Sequence, residues 1–133
     1  MLKKEIFKRA FWTLFAVGVL NLVATELHLH WSLWWIDVIL HFLGGLCVAL
    51  FALWLGSVKS DLKNWRQGKI LLVALAGAIF VGILWEIYEL YVGLTFLSDG
   101  ARYFADTGSD LMMDFVGGIF GFLYANNLLK KYE

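Results

Sequence analysis

Four long apolar runs, at about 10–30, 34–56, 70–92 and 108–129, set the pattern of this chain, with short polar stretches between them. Each comes close to the roughly 20 apolar residues, rising about 1.5 Å apiece, that cross a hydrocarbon core of about 30 Å. The second reads WWIDVILHFLGGLCVALFALWLG and the third LLVALAGAIFVGILWEIYELYVG. Neither alternates apolar and polar residues as a barrel strand does, and a bilayer admits only helices or closed barrels. The pattern predicts an all-α polytopic membrane protein, a single domain over residues 1–133 folded as a bundle of four transmembrane helices. The first run follows KKEIFKR, as in a signal peptide, but lacks a small-residue cleavage site and reads as an uncleaved helix.

Composition strengthens this reading. Of 133 residues 61% are hydrophobic and 17% charged, against about 45–50% and 25% in a soluble domain. One small core cannot bury that much apolar side chain. The absence of proline, and 13 glycines without a triplet period, exclude collagen-like and proline-rich chains. A single cysteine excludes a disulfide scaffold or a cysteine-based zinc finger.

Charge placement adds an orientation. Ten of the eleven basic residues, all but Arg102, lie before the first run, between the second and third, or after the fourth. The positive-inside rule then puts both termini in the cytoplasm. The 26–36 turn and the 98–108 loop face outside, with Trp31, Trp34 and Trp35 at the outer interface.

The acids have the opposite bias. Only Glu5, Asp61 and Glu133 share the basic side, which leaves eight of eleven on or near the outer half. Counted at about 1.5 Å per residue from the cytoplasmic ends, Glu26, His41, Glu86 and Asp114 lie at ~22–24 Å, and Asp37, Glu89 and Asp110 at ~28–30 Å. Facing agrees with depth. Asp37, His41 and then Gly44 or Gly45 share one helical stripe, as do Gly82, Glu86, Glu89 and Gly93, and Asp106, Asp110, Asp114, Gly117 or Gly118, and Gly121. Small residues mark where membrane helices meet, so each acidic stripe is expected to face other helices.

Intramembrane charges are costly, about 2.5–3.5 kcal/mol each at mid-bilayer, and two carboxylates ~6 Å apart repel by ~3 kcal/mol at an effective dielectric near 20. With no lysine or arginine at that depth, the carboxylates are either partly protonated or neutralised by cations. Carboxylates with one histidine suit Mg, Mn or Ca, and also Zn or Fe. The sequence therefore ranks a divalent-cation site first, with Asp37, His41, Glu86, Asp110 and Asp114 as metal ligands, and a proton-sharing cluster second. Glu89 is the candidate catalytic base, Glu26 and Asp106 are possible additional members, and Arg102 is placed to hold an anionic headgroup.

Plainer uses compete for several residues. Asp37 suits the cap of the second span, and Asp106 with Thr107 the cap of the fourth; Glu89 suits a side chain snorkelling to the interface. His28 and His30 read as interfacial, Cys47 and the Met112–Met113 pair as packing, Asn126 and Asn127 as a frayed helix end. No glycine-rich phosphate loop, HExxH or serine nucleophile elbow is present. The Lys63–Lys69 loop is too short and sparse for nucleic acid, though it suits anionic lipid.

The elements Asp37-x-x-x-His41-Phe42, Trp85-Glu86-x-x-Glu89 and Asp106-Thr107-x-x-Asp110-Leu111 with a following glycine-rich helix resemble the YjdF-type family of small bacterial inner-membrane proteins. More loosely, the order of a D/H helix, an acidic helix and a D-x-x-x-D-x-x-G helix is similar to VanZ-like proteins, which are associated with glycopeptide tolerance. The likeness spans about residues 34–121, with Trp85 in place of the family's Tyr and Ala105 in place of its Trp. It implies that the acidic and histidine positions form a shared site.

Three functions fit. The first is a metal-dependent hydrolase or transferase acting on an envelope lipid or lipid-linked phosphate from the outer side. The second is cation or proton transport through the same carboxylates, which the apolar inner halves of the spans disfavour. The third is a non-catalytic, metal-stabilised accessory protein of the envelope. Membrane lipid is the expected partner, and glycine-lined helices are compatible with a homodimer.

Overall fold

The structure, a computed structural model, describes residues 1–132 and, within them, all but the side chain of Trp31. Glu133, assigned above to the basic side, and the Trp31 ring, assigned to the outer interface, lie outside the described residues. The described chain is all-helical. Four long helices, α1 (Leu2–Glu26), α3 (Trp34–Lys59), α4 (Gln67–Val92) and α5 (Ala101–Lys131), are joined by a short α2 (Leu29–Ser32) and by 3-10 turns at Leu62–Asn64 and Leu97–Asp99.

Helix formation outruns the apolar runs. α1 begins at Leu2 rather than near residue 10, and α5 at Ala101 rather than near 108, because polar residues such as Lys3 and Arg102 extend a helix as readily as apolar ones. The expected 26–36 turn contains α2, entered through His28 in the left-handed conformation at φ 54°. α4 stops at Gly93, whose φ of 75° lets its N–H and that of Leu94 return to the Glu89 carbonyl.

Three helices, α1, α3 and α4, are long and apolar enough to cross a membrane. α5, expected as a fourth span, falls short of that composition. It carries Asp110, Asp114, Asn126 and Asn127 among its apolar residues, yet it is the helix that packs most extensively on α3.

Packing inverts the pattern of a soluble protein. Large apolar side chains face outward, among them Trp12 at 56%, Leu72 at 66% and Phe80 at 64% exposure, while small ones fill the centre. The buried residues of α4 are Ile70, Ala74, Ala78, Gly82 and Glu86, a strict four-residue step along one face. α3 is central and touches α1, α4 and α5; α1 packs chiefly on α3. At one end Leu2, Ile6, Leu50, Leu53, Leu62, Ile70 and Leu129 form the apolar core. That brings together the start of α1, the end of α3, the start of α4 and the end of α5, so the long helices run up and down. The opposite end holds Asp37, Glu86, Glu89, Asp110 and Asp114, with His41.

Candidate functional site

Each of the three helices around the acidic end contributes a pair one turn apart. α3 supplies Asp37 and His41, α4 Glu86 and Glu89, and α5 Asp110 and Asp114. His41, Glu86, Asp110 and Asp114 are buried, Asp37 and Glu89 half-buried.

His41 is the hub. Its Nδ1 lies 3.2 Å from Asp114 Oδ2. Its Nε2 lies 3.9 Å from Asp37 Oδ1 and 3.9 Å from Asp110 Oδ2. Asp37, His41 and Asp110 each offer one ligand atom, and these atoms lie within 4.8 Å of one another. An ion with bonds of about 2.0–2.5 Å fits ligand atoms at such separations, because two on opposite sides of it stand about 4–5 Å apart. An Nδ1–H donated to Asp114 leaves Nε2 as the lone-pair nitrogen on the side of the other two carboxylates.

Glycines admit this geometry. A Cβ on Gly45 would come within 2.7 Å of Asp114 Cα, and one on Gly82 within 3.0 Å of Asp114 Cγ. A Cβ on Gly117 would lie 2.8 Å from the Leu46 nitrogen. The helices thus meet backbone to backbone beside the Asp114–His41 pair.

Glu86 is held separately. Its Oε2 accepts a 2.7 Å hydrogen bond from the Thr107 hydroxyl, while its Oε1 is buried and has no hydrogen-bond partner among the described residues. The Glu89 carboxylate accepts from Trp85 Nε1 at 3.0 Å. Among the described residues no lysine or arginine pairs with any of these six side chains.

The remaining candidates stand apart from the buried group. Glu26, expected in the deeper layer, is exposed as the last residue of α1. Asp106 and Arg102 are exposed in the first turns of α5. Three cap readings are corrected: α3 is capped by the Leu33 backbone with Asp37 inside its first turn, and α5 starts before both Asp106 and Thr107. Asn126 and Asn127 lie within α5, not in a frayed end. The stripe on α4 reaches half-buried Glu89, and Gly93, expected to continue it, is exposed. Thr107 is the site-forming residue that sequence reasoning passed over; its place three residues before Asp110, on the same helix face, was the available signal.

Apolar outward faces and three membrane-length helices define a helical membrane protein. The chain belongs to the family described as Predicted membrane protein (DUF2238), whose model matches residues 5–131. No curated protein and no solved structure matches the chain.

Proposed function

We propose that this protein binds a divalent cation at the acidic end of the bundle and acts there on an envelope lipid or lipid-linked phosphate. The observation that carries the reading is the convergence of Asp37, His41 Nε2 and Asp110 within 4.8 Å. In this reading these three are the ligands, and Glu86, held by Thr107, stands outside the group with its Oε1 unpartnered among the described residues. Asp114 acts through His41: by accepting the Nδ1 proton it fixes the tautomer and ring orientation, the usual role of a carboxylate behind a metal-binding histidine. A bound cation would polarise a phosphoryl oxygen. Glu89, oriented by Trp85, would take a proton from water or a substrate hydroxyl.

The same proposal makes residues 1–133 one domain with four spans, α5 included. Burial of Asp110 and Asp114 against α3 and α4 supports a spanning α5, because its polar atoms face protein and not lipid. Ten of the eleven basic residues gather at the opposite end, which supports cytoplasmic termini and an extracytoplasmic site in the inner membrane. The likeness to YjdF-type and, more loosely, VanZ-like proteins rests on these same residues.

The test is elemental analysis of detergent-purified protein after incubation with Mg, Mn, Ca or Zn and desalting. Stoichiometric metal in the wild type, lost in Asp110→Asn and His41→Gln with folding retained, supports the site. Metal-free wild type under every condition overturns it.

A further inference from the structure

On the basic-end side of Glu89, a groove of about 340 Å³ runs along α4. Val81, Leu84, Trp85 and Tyr88 line it, at the i, i+3, i+4, i+7 spacing of one helix face, and all four are exposed. The Trp85 and Tyr88 rings stand 5.4 Å apart at 43° and form its aromatic side. Three observations tie this groove to the acidic group. Trp85 belongs to both, since its ring lines the groove while its Nε1–H donates to Glu89 Oε1 at 3.0 Å. The neighbouring exposed stripe on α4, Phe80, Ile83, Ile87 and Tyr91, carries no acid. Polarity also runs one way: from Val81 to Glu89, about 12 Å along the helix, apolar lining gives way to a carboxylate. In the four-span arrangement proposed above, that is the order of an outer-leaflet lipid, hydrocarbon inward and headgroup outward. Size is the third observation. About 340 Å³ lies near the lower end of the roughly 300–1,000 Å³ of small-molecule pockets, room for a chain segment but not for a whole lipid. The polar part of such an occupant then extends beyond the groove, and Glu89 marks the polar direction.

We propose that the groove holds a hydrocarbon chain of the substrate, and that Trp85 thereby sets the substrate's polar group against Glu89 and the Asp37–His41–Asp110 group. The ligand class is a long-chain phosphate ester. A soluble ester with the same headgroup lacks the part that is held. The inference rests on the reading that the acidic end takes a lipid, and adds where that lipid lies and which side chains grip it.

The test uses full-length protein in detergent and phosphatidic acid carrying a diazirine midway along one acyl chain. After photolysis, mass spectrometry maps the labelled residues. Labelling is expected to concentrate on Val81, Leu84, Trp85 and Tyr88. Excess unlabelled phosphatidic acid should suppress it and diacylglycerol, which has the chains without the phosphate, should not. Leu84→Trp, which fills the groove from an exposed position, should reduce labelling about tenfold, the equivalent of about 1.4 kcal/mol or two buried methylenes. Ile87→Trp, on the neighbouring stripe, should leave it unchanged. Labelling spread alike over the exposed faces of α1 and α4, or suppressed equally by both competitors, means ordinary bilayer contact and overturns the proposal. Metal content, measured on the same preparations, separates the two readings. Bound metal with spread labelling overturns the groove alone, whereas phosphate-dependent labelling without metal overturns the cation and supports the groove.

Discussion

Asp114 Oδ2 lies 3.2 Å from His41 Nδ1 across the α3–α5 contact, and the approach depends on glycine at positions 45 and 82. The pair is therefore a packing feature as much as an electrostatic one, and the two aspects can be separated by substitution.

Gly45→Ala should cost about 1–3 kcal/mol of stability, because its methyl would meet Asp114 backbone that cannot swing away. Gly82→Ala would meet the Asp114 carboxylate instead and should disturb the His41 contact with a smaller loss of stability. Gly18→Ala and Gly108→Ala are the controls: nothing lies within 4 Å of either added methyl, and a mid-helix alanine should gain about 0.5–1 kcal/mol. Thermal melts in detergent rank the four.

Removing a ligand and removing its support should differ. Asp37→Asn and Asp110→Asn are expected to abolish metal retention, whereas Asp114→Asn should weaken it about 10–100-fold, the range found for carboxylates behind a metal-bound histidine. A metal titration with a competing chelator separates these outcomes; equal losses in all three would place Asp114 among the ligands.

Thr107→Val would leave Glu86 Oε2 without its donor, at a cost of about 1–3 kcal/mol, and Thr107→Ser should restore most of it. The melting temperatures of the two variants test the bond directly. A loss in Thr107→Ser with none in Thr107→Val would mean that the methyl group, not the hydroxyl, matters at this position.

Sidedness can be read with thiol chemistry. Cys47 is buried at 3% exposure, so a membrane-impermeant maleimide should ignore the wild type. In intact cells Arg102→Cys should label, and Lys131→Cys should label only after lysis. The reverse pattern would invert the bundle and place the acidic group on the cytoplasmic side.

Much of this arrangement was legible in the chain because two periodicities coincide. Apolar length marks the long helices, and four-residue steps from Asp37 to His41 and from Asp110 to Asp114 put those side chains on the faces that meet. The limits lie at helix ends. Glu26 and Asp106 have the right spacing, but a terminal turn is covered only if a neighbouring helix reaches that far, and crossing geometry is not written in the period. Thr107 was passed over for a related reason. It looked like an end-of-helix residue until α5 proved to run from Ala101 to Lys131. The weak apolarity of α5 comes from the polar residues on its inner face, since Asp110 and Asp114 are buried while Phe104, Met112, Phe120 and Leu123 are exposed on the outer one.

The small-residue middle of the bundle has a consequence for traffic. Ala49, Ala74 and Ala125 are at 0% exposure and Ala78 at 1%, and Gly118 and Gly121 close the gaps between them. In the four-span arrangement proposed above, this waist would be a low-dielectric seal between the Asp/His group and the basic end of the bundle. An ion reaching the Asp/His group would then come from, and return to, one aqueous compartment only. A transmembrane voltage would then fall mostly across the alanines and glycines beneath that group, leaving an ion bound there in equilibrium with the bath it faces.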